Sequence, residues 1–322
     1  MTWRSLLISK GGKLSLHQQQ MLIQQEGNEF TVPLEDIAIV VVESREMVIT
    51  LPLLSAFGLY GITLLSCDEQ FLPCGQWLPF NQYYRQLKTL KLQLETSLPL
   101  KKQLWQRIVQ QKIRNQAKVL SLCQNQEKLE RLLRLANLVK SGDKDNLEAQ
   151  SAVIYFSGLF GAHFRRKEED NAINIHLNYA YSVVRSAVAR SLVLYGWLPQ
   201  FGLFHHSELN AFNLADDFIE PFRPLVDLLV WNLLEKGLLT TNLSPLSKQQ
   251  LIKILHHQLC FNQEKVSVLT AIDKAIASLQ IALIQKNAAL LQLPEIDTLQ
   301  EYQYELGGIY AYDCFIRFTG YH

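Results

Sequence analysis

The sequence predicts an α+β protein in which a small, sandwich-like amino-terminal β-sheet domain is followed by a larger all-α domain. Short segments rich in β-branched and aliphatic residues, separated by turn signals, fill residues 3–80. Apolar residues then recur at roughly helical intervals, as with Leu104, Ile108 and Ile113. The chain has 322 residues, 48% hydrophobic and 19% charged, so it can bury cores of this size.

The elements follow in a simple order along the chain. We expect strands in "WRSLLIS", "KLSLHQQQMLIQQ", "EFTVPLEDIAIVVVES" and "GITLLSCD", with a short helix at "TLPLLSAFGLYG". From Asn81 onward the pattern is helical and the strand signals do not return. We therefore divide the chain into a β-rich domain at 1–82, a linker at 83–100 and a helical domain at 101–322.

The cysteines and the hydropathy pattern exclude several classes of protein. The five cysteines are odd in number, scattered and without a CxxC pair, which argues against both a disulfide framework and a zinc knuckle. His256 and His257 lie near Cys260, but this group lacks a fourth zinc ligand. No stretch reaches the roughly 18 apolar residues of a membrane span. We expect a soluble, cytoplasmic protein without membrane association.

The net charge of +1 hides a local asymmetry. Nine basic residues and a single acid, Glu95, lie between residues 85 and 118. Such a basic stripe can contact nucleic-acid phosphates, or it can be an ordinary solvated helix face. The nine residues are Arg85, Lys88, Lys91, Lys101, Lys102, Arg107, Lys112, Arg114 and Lys118.

Acidic residues and histidines cluster in "FGLFHHSELNAFNLADDFIEPFRPLVD", residues 201–227. On a helix, Asp216 and Asp217 each share a face with Glu220. This negative charge is balanced by a metal ion, by a nearby cation such as Arg223, or by solvent. Because Glu220 precedes a proline, the alternative to a metal-binding role is a structural one, in which Glu220 begins a new helix and caps it. His205 and His206 either supply metal ligands or belong to a surface loop.

A metal ion that prefers oxygen ligands needs another carboxylate, and residues 143–160 offer one. Asp145 or Asn146 can cap a helix there, which puts Glu148 in its first turn. An acid at that position is either a ligand or simply a favourable partner of the helix dipole.

Three blocks of the sequence resemble the signature of a known family. "NLEAQSAVIYFSGLFGAHFRR", "NAINIHLNYAYSVV" and "GLFHHSELNAFNLADDFIEPFRPLVD" are similar to blocks of the CRISPR-associated Cas1 family, and the resemblance spans essentially the whole chain. It implies that Glu148, His205 and Glu220 bind Mg²⁺ or Mn²⁺ and carry catalysis, with Asp217 as a secondary ligand. His206 is the alternative to His205. The spacing to "EPFRP" resembles the form of type II systems, which favours His205.

The resemblance also implies an activity and partners. The family is a metal-dependent DNA integrase and endonuclease, in which the 3′ hydroxyl of a short DNA attacks a phosphodiester in a CRISPR array. It works as a homodimer, formed here by the β-rich domain, and joins the small subunit Cas2 in a heterohexamer in the prokaryotic cytoplasm; the RNA-guided effector nuclease is a further partner. We expect double-stranded DNA to contact Arg165, Arg166, Lys167, Tyr179, Lys101, Lys102, Arg107 and Arg114, with Tyr179 and Tyr181 near a DNA end.

Two positions depart from the family pattern. Ala149 stands where the family commonly has glycine, and Val153 where it has arginine. Two other hypotheses follow. One is an enzyme that mainly nicks branched DNA, and the other is a DNA-binding scaffold in which catalysis was lost with that arginine.

Overall fold

The computed structural model describes residues 4–79, 83, 85–168 and 170–302, together with the backbone of three strands between 304 and 318. The chain divides into two compact units. One contains 1–86, 193–196 and 303–322, and the other contains 87–192 and 197–302. The predicted α+β class is confirmed. Within the described residues, no helix has both the length and the apolar character that crossing a membrane requires.

The first unit is built from the predicted strands. The fully buried segment 37–42, "IAIVVV", forms its central strand, as expected for a continuous β-branched run. Its elements are β1 (Arg4–Ile8), β2 (Gly12–His17), β3 (Gln20–Gln25), β4 (Asn28–Pro33), a 3₁₀ turn (Leu34–Asp36), β5 (Ile37–Val42), β6 (Met47–Ile49), α1 (Leu51–Tyr60), β7 (Thr63–Cys67) and β8 (Pro73–Trp77).

The second unit is helical around one long central helix. Leu104, Ile108 and Ile113 of that helix are fully buried, as their spacing predicts. Its elements are α2 (Gln86–Glu95), α3 (Leu98–Leu122), α4 (Gln126–Leu138), α5 (Leu147–Leu159), α6 (Ala172–Leu194), α7 (Asn213–Ile219), α8 (Arg223–Glu235), α9 (Pro245–Lys253), a 3₁₀ turn (Ile254–His256), β9 (Gln258–Phe261), β10 (Glu264–Ser267), α10 (Val268–Ile284) and a 3₁₀ turn (Ala288–Leu290).

The last strands return to the first unit. They are β11 (Tyr304–Leu306), β12 (Ile309–Ala311) and β13 (Phe315–Phe318). One sheet has the order β13-β1-β5-β7-β8, and a second has the order β4-β3-β2-β6. Side chains from both sheets and from α1 form one hydrophobic core, which includes Leu6, Leu14 and Phe57.

The structure differs from three sequence-based expectations. Strands do recur after residue 81, because β9 and β10 form an antiparallel hairpin and β13 pairs with β1. The helical domain is therefore not all-α. The segment predicted as a linker, 83–100, contains α2 and the start of α3. The strands were missed because each spans only three or four residues, too short for a clear alternating pattern.

Candidate metal and DNA site

The site is built around a lysine on α3. Leu104, Ile108 and Lys112 are spaced by four residues and lie on the same buried side of this helix. The Lys112 side chain is only 8% exposed, and its ammonium contacts the carboxylates of both Glu148 and Glu220. Burial lowers the pKa of Lys112, but the two glutamates outweigh it and hold that pKa above its usual value. Two acids distant in sequence thus share one buried cation.

Glu148 is positioned by the start of α5. Asp143 accepts hydrogen bonds from the main-chain N–H groups of Leu147 at 2.9 Å and Glu148 at 3.0 Å. The expected caps, Asp145 and Asn146, do not have this role: Asn146 adopts a left-handed conformation with φ 50° and makes no side-chain cap. The cap lies further from the helix than the sequence suggested, because the left-handed residue turns the chain back toward Asp143.

Glu220 lies at the end of α7 and does not cap a new helix. Its backbone is helical (φ −53°, ψ −44°) although Pro221 follows, and the next helix begins at Arg223. The amide of Asn115 on α3 donates to the Pro221 carbonyl at 2.7 Å, which fixes this junction. Tertiary contacts thus override the local preference imposed by proline.

The Glu220 carboxylate is buried and ionised. Its Oε1 accepts a hydrogen bond from Arg223 Nε at 2.7 Å, and its Oε2 contacts Lys112. Burial raises the pKa of Glu220, but the two cations outweigh it and bring that pKa to about 2.

His205 is held by Asp217 of α7, which is fully buried. His205 Nδ1 lies 2.8 Å from Asp217 Oδ1, and the main-chain N–H groups of Leu203, Phe204 and His205 also donate to this carboxylate. The hydrogen bond to Asp217 raises the pKa of His205, burial opposes this, and the Glu220 carboxylate also raises it. Asp217 is therefore directed at the loop and at His205, where it fixes the orientation of the ring.

Aromatic side chains support the same loop from α3. The rings of Trp105 and Phe204 stack with centroids 4.3 Å apart, and the His205 ring meets both edge-on at 5.6 Å. Gly202 is needed in this loop, since a Cβ there would lie 2.2 Å from the His205 carbonyl oxygen and 2.8 Å from Asp217 Oδ2.

Two open cavities flank these residues. One of about 250 Å³ is lined by Lys112, Glu148 and Glu220, among others, and one of about 540 Å³ is lined by His205 and Lys101, among others. Of the three predicted ligands, the structure thus brings the two glutamates together, and His205 faces the neighbouring cavity. In the part of the chain that the structure describes, no three His, Cys, Asp or Glu side chains are close enough to hold one ion.

A cationic cluster completes the smaller cavity. The guanidinium groups of Arg166 and Arg223 lie 5.4 and 4.5 Å from the Tyr181 ring centroid. The Tyr181 hydroxyl donates to the buried carboxylate of Asp227. Burial raises the pKa of Asp227 to about 6, although Tyr181 and the two arginines oppose it. Arg166 is fixed by Asn174 and Asn178, at 2.7 and 2.8 Å.

The predicted DNA contacts divide into accessible and inaccessible residues. Arg166 and Lys101 line the cavities, and the remaining accessible ones are Arg165, Lys167, Lys102 and Arg114, all exposed. Tyr179 is fully buried, so its predicted contact with a DNA end is wrong. Arg107 is partly buried and donates to the Leu291 carbonyl at 3.1 Å, which makes it a structural residue.

Sequence reasoning missed the residues that organise the site. The sequence pattern places Lys112 in the basic stripe, yet a charged residue four positions after Ile108 on an apolar helix face indicates a buried cation that needs acidic partners. Asp227 follows Arg223 by one helical turn, and this spacing was the available signal for its place beside the same cavity. Asn115 carried no recognisable signal.

Comparison with known proteins identifies the family. The family described as CRISPR associated protein Cas1 matches residues 6–251. The CRISPR-associated endonuclease Cas1 of Neisseria meningitidis serogroup C (strain 8013) is 61% identical over 305 residues, which cover 95% of this chain and 100% of that protein. The chain belongs to the Cas1 family. A relative from Francisella tularensis subsp. novicida (strain U112), a CRISPR-associated endonuclease Cas1, is 24% identical over 263 residues, or 72% of this chain and 80% of that protein.

Solved structures share the fold. A casposase bound to integration product superposes with a TM-score of 0.74 at 18% identity, covering 96% of this chain and 97% of that chain. A Cas1 protein from Thermotoga maritima superposes with a TM-score of 0.69 at 18% identity, covering 87% of this chain and 97% of that chain. A chain of a Cas6-RT-Cas1–Cas2 complex superposes with a TM-score of 0.72 at 18% identity, covering 91% of this chain and 36% of that larger chain. At these identities the likeness is one of fold.

Proposed function

We propose that this protein is a divalent-metal-dependent DNA integrase and endonuclease, which inserts short DNA fragments into a CRISPR array. In the reaction a 3′ hydroxyl attacks a phosphodiester of the array and displaces the leaving 3′ oxygen, so one P–O bond forms as another breaks. The observation that carries this proposal is the convergence of Glu148 and Glu220 on one buried positive charge beside an open cavity. The Neisseria relative is named an endonuclease, and the casposase structure contains an integration product.

The two carboxylates of Glu148 and Glu220 fit Mg²⁺ or Mn²⁺, which prefer oxygen ligands. The carboxylates of Glu148 and Glu220 already surround a cation, the ammonium of Lys112. His205 lies on the neighbouring cavity and is the third proposed ligand, which would have to approach the two glutamates when the ion binds. Its Nδ1 is engaged by Asp217, which leaves Nε2 for the metal. When bound, the ion would lower the pKa of the attacking hydroxyl and neutralise charge at the scissile phosphate.

The remaining chemistry belongs to the chain. Arg166 and Arg223 line the same cavity as the two glutamates, and a guanidinium binds a phosphate with two parallel hydrogen bonds. Arg166 is the better candidate for such a contact, because Arg223 already pairs with Glu220. Lys101 places a second cation in the cavity next to His205, where it can hold the DNA backbone without reading sequence.

The departure at Val153 does not favour the scaffold hypothesis. The Val153 side chain is 73% exposed, and it is not among the residues that line the cavity of the two glutamates. The valine therefore leaves the contacts of Glu148 and Glu220 with Lys112 unchanged. The partners belong to the proposal: a homodimer, with Cas2 as the bridging subunit in a heterohexamer and the RNA-guided effector nuclease as a further partner. A related fold is part of a complex with Cas2.

The decisive experiment measures strand joining. The protein, with and without Cas2, is incubated with a fluorescent 3′-hydroxyl duplex and a supercoiled plasmid carrying a repeat, in Mn²⁺, Mg²⁺ or chelator. We expect metal-dependent product that falls by about two orders of magnitude in Glu148→Gln and Glu220→Gln, the loss typical for groups that stabilise developing charge.

Glu130→Gln, at an exposed position of α4, is the matched control and should join DNA like the wild type. DNA affinity is measured in parallel by fluorescence anisotropy. Intact binding without joined product in any metal would reject the integrase and leave the scaffold.

A further inference from the structure

The two oxygens of the Glu220 carboxylate are both committed to side chains of this protein. Oε1 accepts from Arg223 at 2.7 Å, and Oε2 is in contact with the ammonium of Lys112. The same ammonium contacts Glu148 Oε1. The charges of two carboxylates and two cations therefore balance without any added ion. Lys112 and Glu220 are nearly buried, at 8 and 9% exposure, and Arg223 and Glu148 are partly exposed, at 27 and 30%.

This balance constrains how a metal ion can bind. A divalent cation ligated by Glu148 and Glu220 competes with Lys112, which contacts one oxygen of each carboxylate. The ammonium and the ion would repel each other strongly in so buried a position. Lys112 therefore has to withdraw before or as the ion binds.

The structure provides both the means and the room. Lys112 carries its charge at the end of a flexible four-carbon chain, which can reorient while α3 stays fixed. It lines a cavity of about 250 Å³ whose other side chains include Arg166 and Gln116 as well as the two glutamates, so the ammonium can move along this cavity away from the carboxylates. An ammonium that moves into this cavity joins the cationic surface proposed to hold the DNA phosphate.

We infer that Lys112 is the resident counter-cation of the Glu148–Glu220 pair: it holds the two carboxylates together in the metal-free protein and gives way to the divalent ion. Lys112 is thus a positioning residue for the proposed metal site, and the inference rests on the proposed function. A lysine with a purely structural role would keep both contacts whether or not metal is present.

The first test uses the wild-type protein. Lysine acylation by an N-hydroxysuccinimide ester is read by mass spectrometry, with and without saturating Mn²⁺. We expect labelling of Lys112 to rise by about tenfold when Mn²⁺ binds, because a withdrawn ammonium becomes accessible. Lys118, which is exposed on the same helix, should be labelled equally in both conditions. Unchanged protection of Lys112 at saturating Mn²⁺ overturns the inference.

The second test uses variants and Mn²⁺ affinity, measured by titration calorimetry. Lys112→Met removes the competing charge, so Mn²⁺ should bind at least about tenfold more tightly, and the metal-free protein should unfold at a lower temperature. Lys112→Arg keeps the charge and should bind Mn²⁺ no more tightly than the wild type. Lys118→Met is the matched control and should change neither quantity. Equal Mn²⁺ affinity in Lys112→Met and the wild type contradicts the inference.

Glu220→Gln distinguishes a failure of the proposed metal site from a failure of the role inferred for Lys112. The proposed metal site itself is wrong if Glu220→Gln does not abolish Mn²⁺ binding, either in the wild-type background or in Lys112→Met. If wild-type binding depends on Glu220 while Lys112 stays protected and Lys112→Met binds no more tightly, the metal site stands and only the role of Lys112 is rejected.

Discussion

Asp217 and His205 form one hydrogen-bonded unit. The fully buried carboxylate of Asp217 lies 2.8 Å from the ring Nδ1 of His205 and accepts a hydrogen bond from the main-chain N–H of the same residue at 3.1 Å. The carboxylate thus fixes the position of the residue and the direction of its ring. The remaining ring nitrogen, Nε2, has its direction set by these two contacts.

Replacing this carboxylate should weaken binding at the proposed metal site without removing any of its three proposed ligands, Glu148, His205 and Glu220. In Asp217→Asn, the new amide N–H groups face main-chain donors of the loop, so His205 loses its fixed orientation. We expect Mn²⁺ affinity and strand joining to fall by about 10- to 100-fold. Asp216→Asn, at the adjacent and partly exposed position, is the control. Equal affinity in both variants, measured by calorimetry, would contradict the positioning role of Asp217.

Gly202 should tolerate no side chain. An added Cβ would lie 2.2 Å from the His205 carbonyl oxygen, which is main chain and cannot move away cheaply. We expect Gly202→Ala to lower the free energy of unfolding by about 1–3 kcal/mol, measured in urea. Gly58→Ala in α1 is the control, because a Cβ there has only Trp77 nearby, at 3.4 Å. A Gly202→Ala protein as stable as wild type would rule out this close approach.

The hydroxyl of Tyr181 should contribute to stability. Tyr181→Phe removes one of the two tyrosine hydroxyls, Tyr181 and Tyr155, that hydrogen-bond the buried carboxylate of Asp227, and a loss of about 1–3 kcal/mol in unfolding free energy is expected. Tyr60→Phe removes a hydroxyl that bonds Gln19 at 2.9 Å on the surface, and should cost much less. Similar losses of unfolding free energy in the two variants would mean that the buried hydrogen bond stabilises the protein no more than the exposed one.

Asp227 predicts a pH dependence of stability. Its pKa in the folded protein is about 6, above the value of about 3.9 for an unfolded aspartate. The folded state therefore keeps a proton that the unfolded state releases. The stabilisation linked to this proton is complete below about pH 4 and is lost as the pH rises through 6.

Asp227→Asn should lack this dependence. Relative to the variant, the wild type should lose about 2 kcal/mol of unfolding free energy between pH 4 and pH 7, which follows from the two pKa values. Urea unfolding across this range measures the difference. A wild-type and variant pair whose stabilities change in parallel would place the pKa of Asp227 near its ordinary value.

The accessible lysines at the start of α3 should bind DNA without sequence preference. Replacing Lys101 and Lys102 by alanine should weaken binding to every duplex and lower the salt slope by roughly 0.9 for each lost phosphate contact. Lys236→Ala, at an exposed position after α8, is the control. Anisotropy titrations at several salt concentrations test this. An unchanged slope means that these lysines do not contact the duplex.

The sequence predicted the fold class and the two glutamates more completely than it predicted their surroundings. Glu148 and Glu220 stand in recognisable blocks, whereas Lys112 lies in a helix whose basic residues share one sequence pattern but have different environments. Only the packing of α3 decides that Lys112 is buried while Arg114, two residues on, is exposed. Tyr179 and Tyr181 likewise share one sequence motif but have different environments. Only Tyr181 lines the cavity, and the sequence could not distinguish the two because α6 is buried on most of its circumference.

The parallel pairing of β13 with β1 has a consequence for how the chain can be cut. Residues 315–318 cover one edge of the strand that begins at Arg4, so the sheet is completed by residues more than 300 positions away in sequence. A chain ending at residue 302 would keep every described helix but leave β1 with a row of unpaired main-chain groups. Such a bare edge is a template for strands of other molecules, so this truncation should produce aggregation instead of a smaller active protein.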